Sequence, residues 1–95
     1  MTPQKLIDVV ANLASFDREL TIYATKPWSP DSATVVAREP DEGGAPNEAK
    51  AIGAKYFIEI FIAKDVLDGS IAMEGRAMSI PEQCDRLIHY ATYDA

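Results

Sequence analysis

Apolar residues near the start of the chain recur with the period of an α-helix. Four of them are spaced i, i+3, i+4 and i+7: Leu6, Val9, Val10 and Leu13. That spacing places their side chains on one helical face. Thr2 and Pro3 suit the N-cap and the first helical position. The pattern predicts an amphipathic helix over residues 3–14.

Two short runs rich in β-branched residues follow, ELTIYAT at 19–25 and SATVVARE at 32–39. The connection between them contains two prolines, so the runs predict an antiparallel hairpin over 19–39 with a long, stiff loop. Alternation places Leu20, Ile22 and Ala24 on one face of the first strand. On the second strand we expect Ala33, Val35 and Ala37 to share that face, with Thr21, Tyr23, Thr34 and Arg38 on the other.

The segment KYFIEIFIAKDVLDGS, residues 55–70, is compatible with a strand and with a buried helix. A helical wheel places Phe57 and Phe61 among charged residues, which favours a period of two. We therefore predict a strand at 55–62 followed by a short helix at 63–69, with one buried helix over 55–69 as the alternative. Tyr56, Ile58, Ile60 and Ile62 would face one side of that strand, and Phe57, Glu59 and Phe61 the other.

The last segment, SIPEQCDRLIHYATYDA, carries the clearest helix signal. Ser79, Pro81 and Glu82 match an N-cap, a first-turn proline and a capping box, so we predict a helix over 79–94. Its expected core stripe is Ile80, Cys84, Leu87, Ile88 and Ala91. The opposite side collects Arg86, His89, Tyr90 and Tyr93.

Together these elements predict a single α+β domain over residues 1–95. A small, mostly antiparallel sheet, built from the hairpin 19–39 and the strand 55–62, packs against the N-terminal and C-terminal helices. Residues 40–53 begin as an acidic loop, and Pro46 or Asn47 starts one or two helical turns that stop at Gly53.

The charge balance narrows the classes of partner. The chain of 95 residues has 15 acidic and 9 basic side chains, a formal charge of -6, so its mean field repels nucleic acids and anionic lipids. The apolar run YFIEIFIA is far shorter than the ~20 residues of a membrane span. A single cysteine and a start without a basic-then-apolar leader predict a cytoplasmic protein with no disulfide.

Reactive groups are scarce. Cys84 and His89 lie on different faces of the last helix, so we expect neither a nucleophilic pair nor a zinc site, and Cys84 is predicted to be a buried thiol. No phosphate-binding or nucleophile motif is present. We therefore predict no catalytic residue, no metal and no cofactor. His89 lies four residues beyond Asp85, which predicts a surface ion pair. If that pair takes part in binding, partner affinity should change between about pH 5.5 and 7.5.

The only tryptophan, Trp28, lies in the Pro-rich turn KPWSP. Both prolines fix φ, so the indole has a defined place, either packed on the end of the sheet or exposed as an anchor for a partner. Trp, Tyr and Arg dominate interface energetics. The candidate partner-binding residues are therefore Trp28, Arg86, His89, Tyr90 and Tyr93.

The strings TIYATKPWSPDSA, EPDEGGAP and YFIEIFIAKDVLDG resemble a family of small uncharacterised bacterial proteins. The resemblance covers residues 21–69 and, more weakly, the terminal helix, and it implies no activity, cofactor or catalytic residue.

These observations predict a non-enzymatic protein-interaction module, immunity-like or regulatory, that presents an acidic and aromatic surface to a basic protein or to a second copy of itself. The alternative is a small-molecule binder or small enzyme with a pocket around Glu59, Tyr56 and Tyr23.

Overall fold

The computed structural model describes residues 3–94, which contain four strands and four α-helices. The strands are β1 (Gln4–Lys5), β2 (Thr21–Ala24), β3 (Ala33–Ala37) and β4 (Lys55–Glu59). The helices are α1 (Leu6–Ala11), α2 (Asn47–Ala51), α3 (Ile60–Glu74) and α4 (Ile80–Tyr93), and a 3-10 turn at Leu13–Ser15 follows α1. The fold is α+β, as the sequence predicts.

All four strands form one antiparallel sheet in the order β1-β3-β2-β4, so β4 is an edge strand. Helices α1, α3 and α4 cover one face, where they share a core with Ile22 of β2 and Ile58 of β4. The short helix α2 lies on the other face, where Tyr23 packs against Ala49 and Ala54. The sheet therefore has two cores of unequal size.

The N-terminal helix is shorter than predicted because its first turn is replaced by a strand. The Leu6 and Ile7 N–H groups donate to the Ser32 and Pro30 carbonyls, at 3.0 and 2.9 Å. Those bonds tie the start of α1 to the hairpin loop, and β1 pairs with β3 just before it. The predicted apolar stripe is buried, whereas the proposed N-cap Thr2 lies outside the described residues.

The hairpin register corrects one predicted face. Val36 lies directly opposite Ile22, and Val35 opposite Tyr23. Thr34 and Val36 therefore share the core face with Ile22 and Ala24, whereas Ala33, Val35 and Ala37 face α2. Alternation alone gives two equivalent sets of positions, and the pairing register selects between them.

The segment 55–70 also differs from the prediction, in both forms considered. The strand ends at Glu59 rather than at residue 62, and α3 runs from Ile60 to Glu74 rather than over 63–69. The Ile60 N–H makes a final bond to the Leu20 carbonyl, at 2.9 Å, before the chain turns into the helix. Ile60, Ala63 and Leu67 then face the core with helical spacing.

A register shift in β4 explains why its alternation is misleading. Ile58 pairs with Ile22 and Tyr56 pairs with Tyr23, so the ladder contains one extra residue between these pairs. As a result, Phe57 and Ile58 are both buried in the larger core. Tyr56 and Glu59 lie on the opposite face, beside Tyr23 and Thr21.

The last helix agrees closely with the sequence. The Glu82 N–H donates to Ser79 Oγ, and the Ser79 N–H donates to Glu82 Oε1, which completes the capping box. Cys84 and Leu87 are buried, with Ile88 and Ala91 partly buried beside them. Gly53 closes α2 in the left-handed conformation, also as predicted.

Candidate functional site

Trp28 packs onto the end of the sheet. Its indole N–H donates to the Ala24 carbonyl, at 3.2 Å. Its ring meets the Phe57 ring edge-on, with centroids 5.0 Å apart. The side chain remains half-buried, and the Lys26 ammonium lies 4.7 Å from the indole centroid on the outer side. Of the two places considered for the indole, the structure has the packed one, with part of the ring still open to a partner.

Tyr56 and Tyr90 extend this aromatic group. Tyr56 directly precedes Phe57 in β4 and is 46% exposed. Tyr90, on α4, packs on the same core as Trp28, and its phenol is close enough to contribute to the raised pKa of Tyr56. Trp28, Tyr56 and Tyr90 come from three separate segments and lie near the β4 edge of the sheet, with Tyr56 on the opposite face from the other two. We call these three residues the aromatic edge.

The structure changes the predicted membership of the outer face of α4. Tyr90 is half-buried against the core, so it does not belong to a fully exposed face. His89 and Tyr93 do belong to one: their rings are 4.8 Å apart and Tyr93 is 73% exposed. His89 Nδ1 lies 4.0 Å from Asp94, and in the described residues the predicted ion pair with Asp85 is not formed.

Arg86 forms an ion pair at the turn between α3 and α4. Its guanidinium lies 3.6 Å from Glu74 at the end of α3. Arg76 bonds both Glu74 and Glu82, at 3.3 and 2.7 Å, so the α3–α4 turn is an ion-pair network. Arg86 therefore contributes to the packing of two helices, and the structure does not place it beside Trp28.

A cavity of about 510 Å³ lies on the α2 face of the sheet. Tyr23 and Tyr56 form part of one wall, and Glu39 and Lys50 border it with several small residues. Tyr23 is only 1% exposed, and its hydroxyl has no hydrogen-bond partner in the described part of the chain. Such an unpaired buried group costs about 1–3 kcal/mol.

Both tyrosines are held in the neutral form by their surroundings. Burial raises the pKa of Tyr23, and the Glu39 and Glu59 carboxylates raise it further. The nearby Thr21 hydroxyl acts in the opposite direction and lowers the pKa of Tyr23. It does not form a hydrogen bond with the Tyr23 hydroxyl in the described structure. Burial followed by Glu59 and Glu39 raises the pKa of Tyr56. Two phenols and two carboxylates therefore lie close together here.

Sequence reasoning found Tyr23, Tyr56 and Glu59 but missed Glu39. Glu59 faces the same side of the sheet, opposite Thr21, yet it borders a neighbouring depression with Arg18, Glu19 and Phe61. Glu39 borders the cavity itself because, two residues beyond the end of β3, it continues the alternation of Val35 and Ala37 on the α2 face. The acidic run at 39–42 is visible in the sequence, but its position beside Tyr23 depends on the strand register.

Cys84 is buried, and burial raises the pKa of its thiol to about 11, with a smaller contribution from Asp85. Among residues 3–94, no group of three or more His, Cys, Asp or Glu side chains is arranged to hold a metal ion.

Within the described part of the chain, no helix is both long and apolar enough to cross a membrane.

Comparison of the chain with family models, with curated proteins and with solved structures finds no match. The resemblance to small bacterial proteins therefore stays a prediction.

Proposed function

We propose that this protein is a non-enzymatic module that binds another protein through the aromatic edge and the adjoining end of α4. The observation that carries the proposal is that Trp28, Tyr56 and Tyr90, from three segments of the chain, lie near the β4 edge of the sheet, with Trp28 and Tyr90 on the larger core and Tyr56 on the α2 face. The Trp28 and Tyr90 rings pack on the larger core and remain half-buried, and Tyr56 is 46% exposed. Rigid aromatic side chains of this kind contribute most of the binding energy in many interfaces.

The expected partner is a basic protein, and the location we propose is the cytoplasm. The support is the formal charge of -6 together with the single cysteine. The Glu39 and Glu59 carboxylates lie near Tyr56, and Asp94 lies 4.0 Å from His89 at the end of α4. Immunity-like or regulatory binding fits this acidic surface, and a second copy of the chain is the alternative partner. The support for a bacterial origin is the resemblance of the sequence to small bacterial proteins.

The test is affinity capture from the source cell with four immobilised proteins: the natural chain, Tyr56→Ala, Tyr93→Ala and Met73→Ala. Met73 is 90% exposed on α3, so its variant is a control for loss of an exposed apolar side chain. We expect one basic protein to be retained by the natural chain and by Met73→Ala, and to be lost with Tyr56→Ala. Circular dichroism verifies that each variant is folded.

Retention of the same protein by all four chains contradicts the proposal. Light scattering after size exclusion distinguishes the self-association alternative: a dimer that Tyr56→Ala dissociates assigns the aromatic edge to a homodimer.

A further inference from the structure

The cavity beside Tyr23 contains more acceptors than its surroundings satisfy. The Tyr23 hydroxyl is buried without a partner, and in the described residues neither Glu39 nor Glu59 has a cation within 4.0 Å. Both carboxylates lie close enough to both phenols to disfavour their ionisation. Negative charge is thus present in the cavity lining, from Glu39, and in the neighbouring depression, from Glu59.

The basic residues around the cavity do not neutralise that charge. Lys50, on the α2 wall, is exposed and forms no ion pair in the described structure. Lys55 also borders the cavity, and in the described residues it forms no ion pair with Glu39 or Glu59.

From this arrangement we infer that the cavity receives a lysine or arginine side chain of the partner protein. The alkyl part would lie against the Tyr56 ring, and the cationic group would meet the Glu39 carboxylate and the Tyr23 hydroxyl oxygen. The inference rests on the proposed function, because Tyr56 belongs both to the aromatic edge and to the cavity wall. A partner held at the edge would thus present a side chain to the cavity.

The cavity has suitable size and access. Its volume of about 510 Å³ exceeds that of one long side chain. The Tyr23 hydroxyl is closed to water, so the cationic group reaches it only when the exposed Tyr56 or Glu39 side chain moves. Small residues form much of the remaining lining, including Gly44, Ala45, Gly53 and Ala54, so they leave space for the incoming group.

The test uses capped single residues as probes of the side chain: N-acetyl-lysine methylamide, N-acetyl-arginine methylamide and the uncharged norleucine analogue. We titrate each into the isotopically labelled protein and follow the backbone amide resonances of Gly44, Gly53 and Ala54. We expect saturable shifts with the lysine or arginine probe, at affinities at least about tenfold above the norleucine probe. Added salt should weaken binding.

Two variants test the assigned contacts. Glu39→Gln keeps the shape but removes the charge, and we expect about a tenfold loss of affinity for the cationic probe. Tyr23→Phe removes only the hydroxyl, so it should weaken probe binding while the protein becomes no less stable, because that hydroxyl has no partner in the free chain. Lys5→Gln, a lysine paired with Asp31 outside the cavity, should change nothing.

Several results would overturn the inference. They are an absence of shifts up to about 20 mM cationic probe, equal binding of the norleucine probe, or unchanged affinity in Glu39→Gln. Butylamine binding ten times more tightly than either capped residue would instead indicate a free small amine as the ligand. Probe binding together with failure of Tyr56→Ala to affect partner capture would contradict the proposed function but leave the cavity as a cation site.

Discussion

At the scale of single residues, Glu82 is the carboxylate most strongly affected by folding. The Arg76 guanidinium, followed by the Ser79 backbone and hydroxyl, lowers the pKa of Glu82 to about 2. Because this pKa is lower in the folded chain than the usual value of 4.5, the ionised side chain stabilises the fold above pH 4.5. That contribution disappears as the pH falls from 4.5 to about 2.

Glu82→Gln should therefore lower the thermal unfolding midpoint near neutral pH, and the difference from the natural chain should shrink below pH 4.5. Differential scanning calorimetry across this range measures it. Ser79→Ala is the companion variant: it removes the N-cap of α4 and should cost about 1 kcal/mol. A Glu82→Gln difference that stays constant into acid would show that its charge does not stabilise the turn.

At the scale of elements, α3 contains a glycine that its structure does not require. Gly69 lies inside the helix, and an added Cβ would meet no atom within 4 Å. Gly75, by contrast, ends the helix with φ of 67°, in the left-handed region that favours glycine. The backbone conformation therefore favours glycine at the end of α3, at Gly75, but not inside the helix, at Gly69.

We expect Gly69→Ala to raise the free energy of unfolding by about 0.5–1 kcal/mol, because alanine loses less backbone entropy in a helix. Gly75→Ala should lower it by about 1–2 kcal/mol, because its Cβ is strained at positive φ. Urea denaturation measures both, each variant serving as the control for the other. Equal effects of the same sign would contradict the assigned boundaries of α3.

At the scale of the whole molecule, the two cores share the same sheet. Ile22 packs in the larger core with α1, α3 and α4, and the adjacent Tyr23 packs under α2. Because neighbouring residues of β2 belong to different cores, loss of one core should disrupt the strand on which the other depends. The chain is therefore expected to unfold in one cooperative step.

The measurement compares two probes during urea unfolding. Trp28 fluorescence reports its contact with Phe57, and far-ultraviolet circular dichroism reports the helices. Their midpoints should coincide. A fluorescence transition clearly before the loss of helix would mean that the loop at residues 25–32 detaches independently, and that the aromatic edge is not rigidly held.

The features that depend on local physical chemistry could be predicted from the amino-acid sequence. Short-range spacing and backbone preferences account for four of them: the capping box at Ser79, the core stripe of α4, the end of α2 at Gly53 and the buried face of α1. The sequence also gave good reason to single out Trp28, since two prolines confine the segment around it.

Which residues of β3 face the larger core, and where β4 ends, depend on contacts that form in the folded chain. Val36 rather than Val35 lies in the larger core because strand pairing selects the register, and a bulge buries both Phe57 and Ile58. The same pairing brings Glu39, two residues beyond β3, to the face of the sheet that carries Tyr23. A period-two pattern cannot contain this information, because register and bulges are set by the contacts between paired strands and not by the order of residues within one strand.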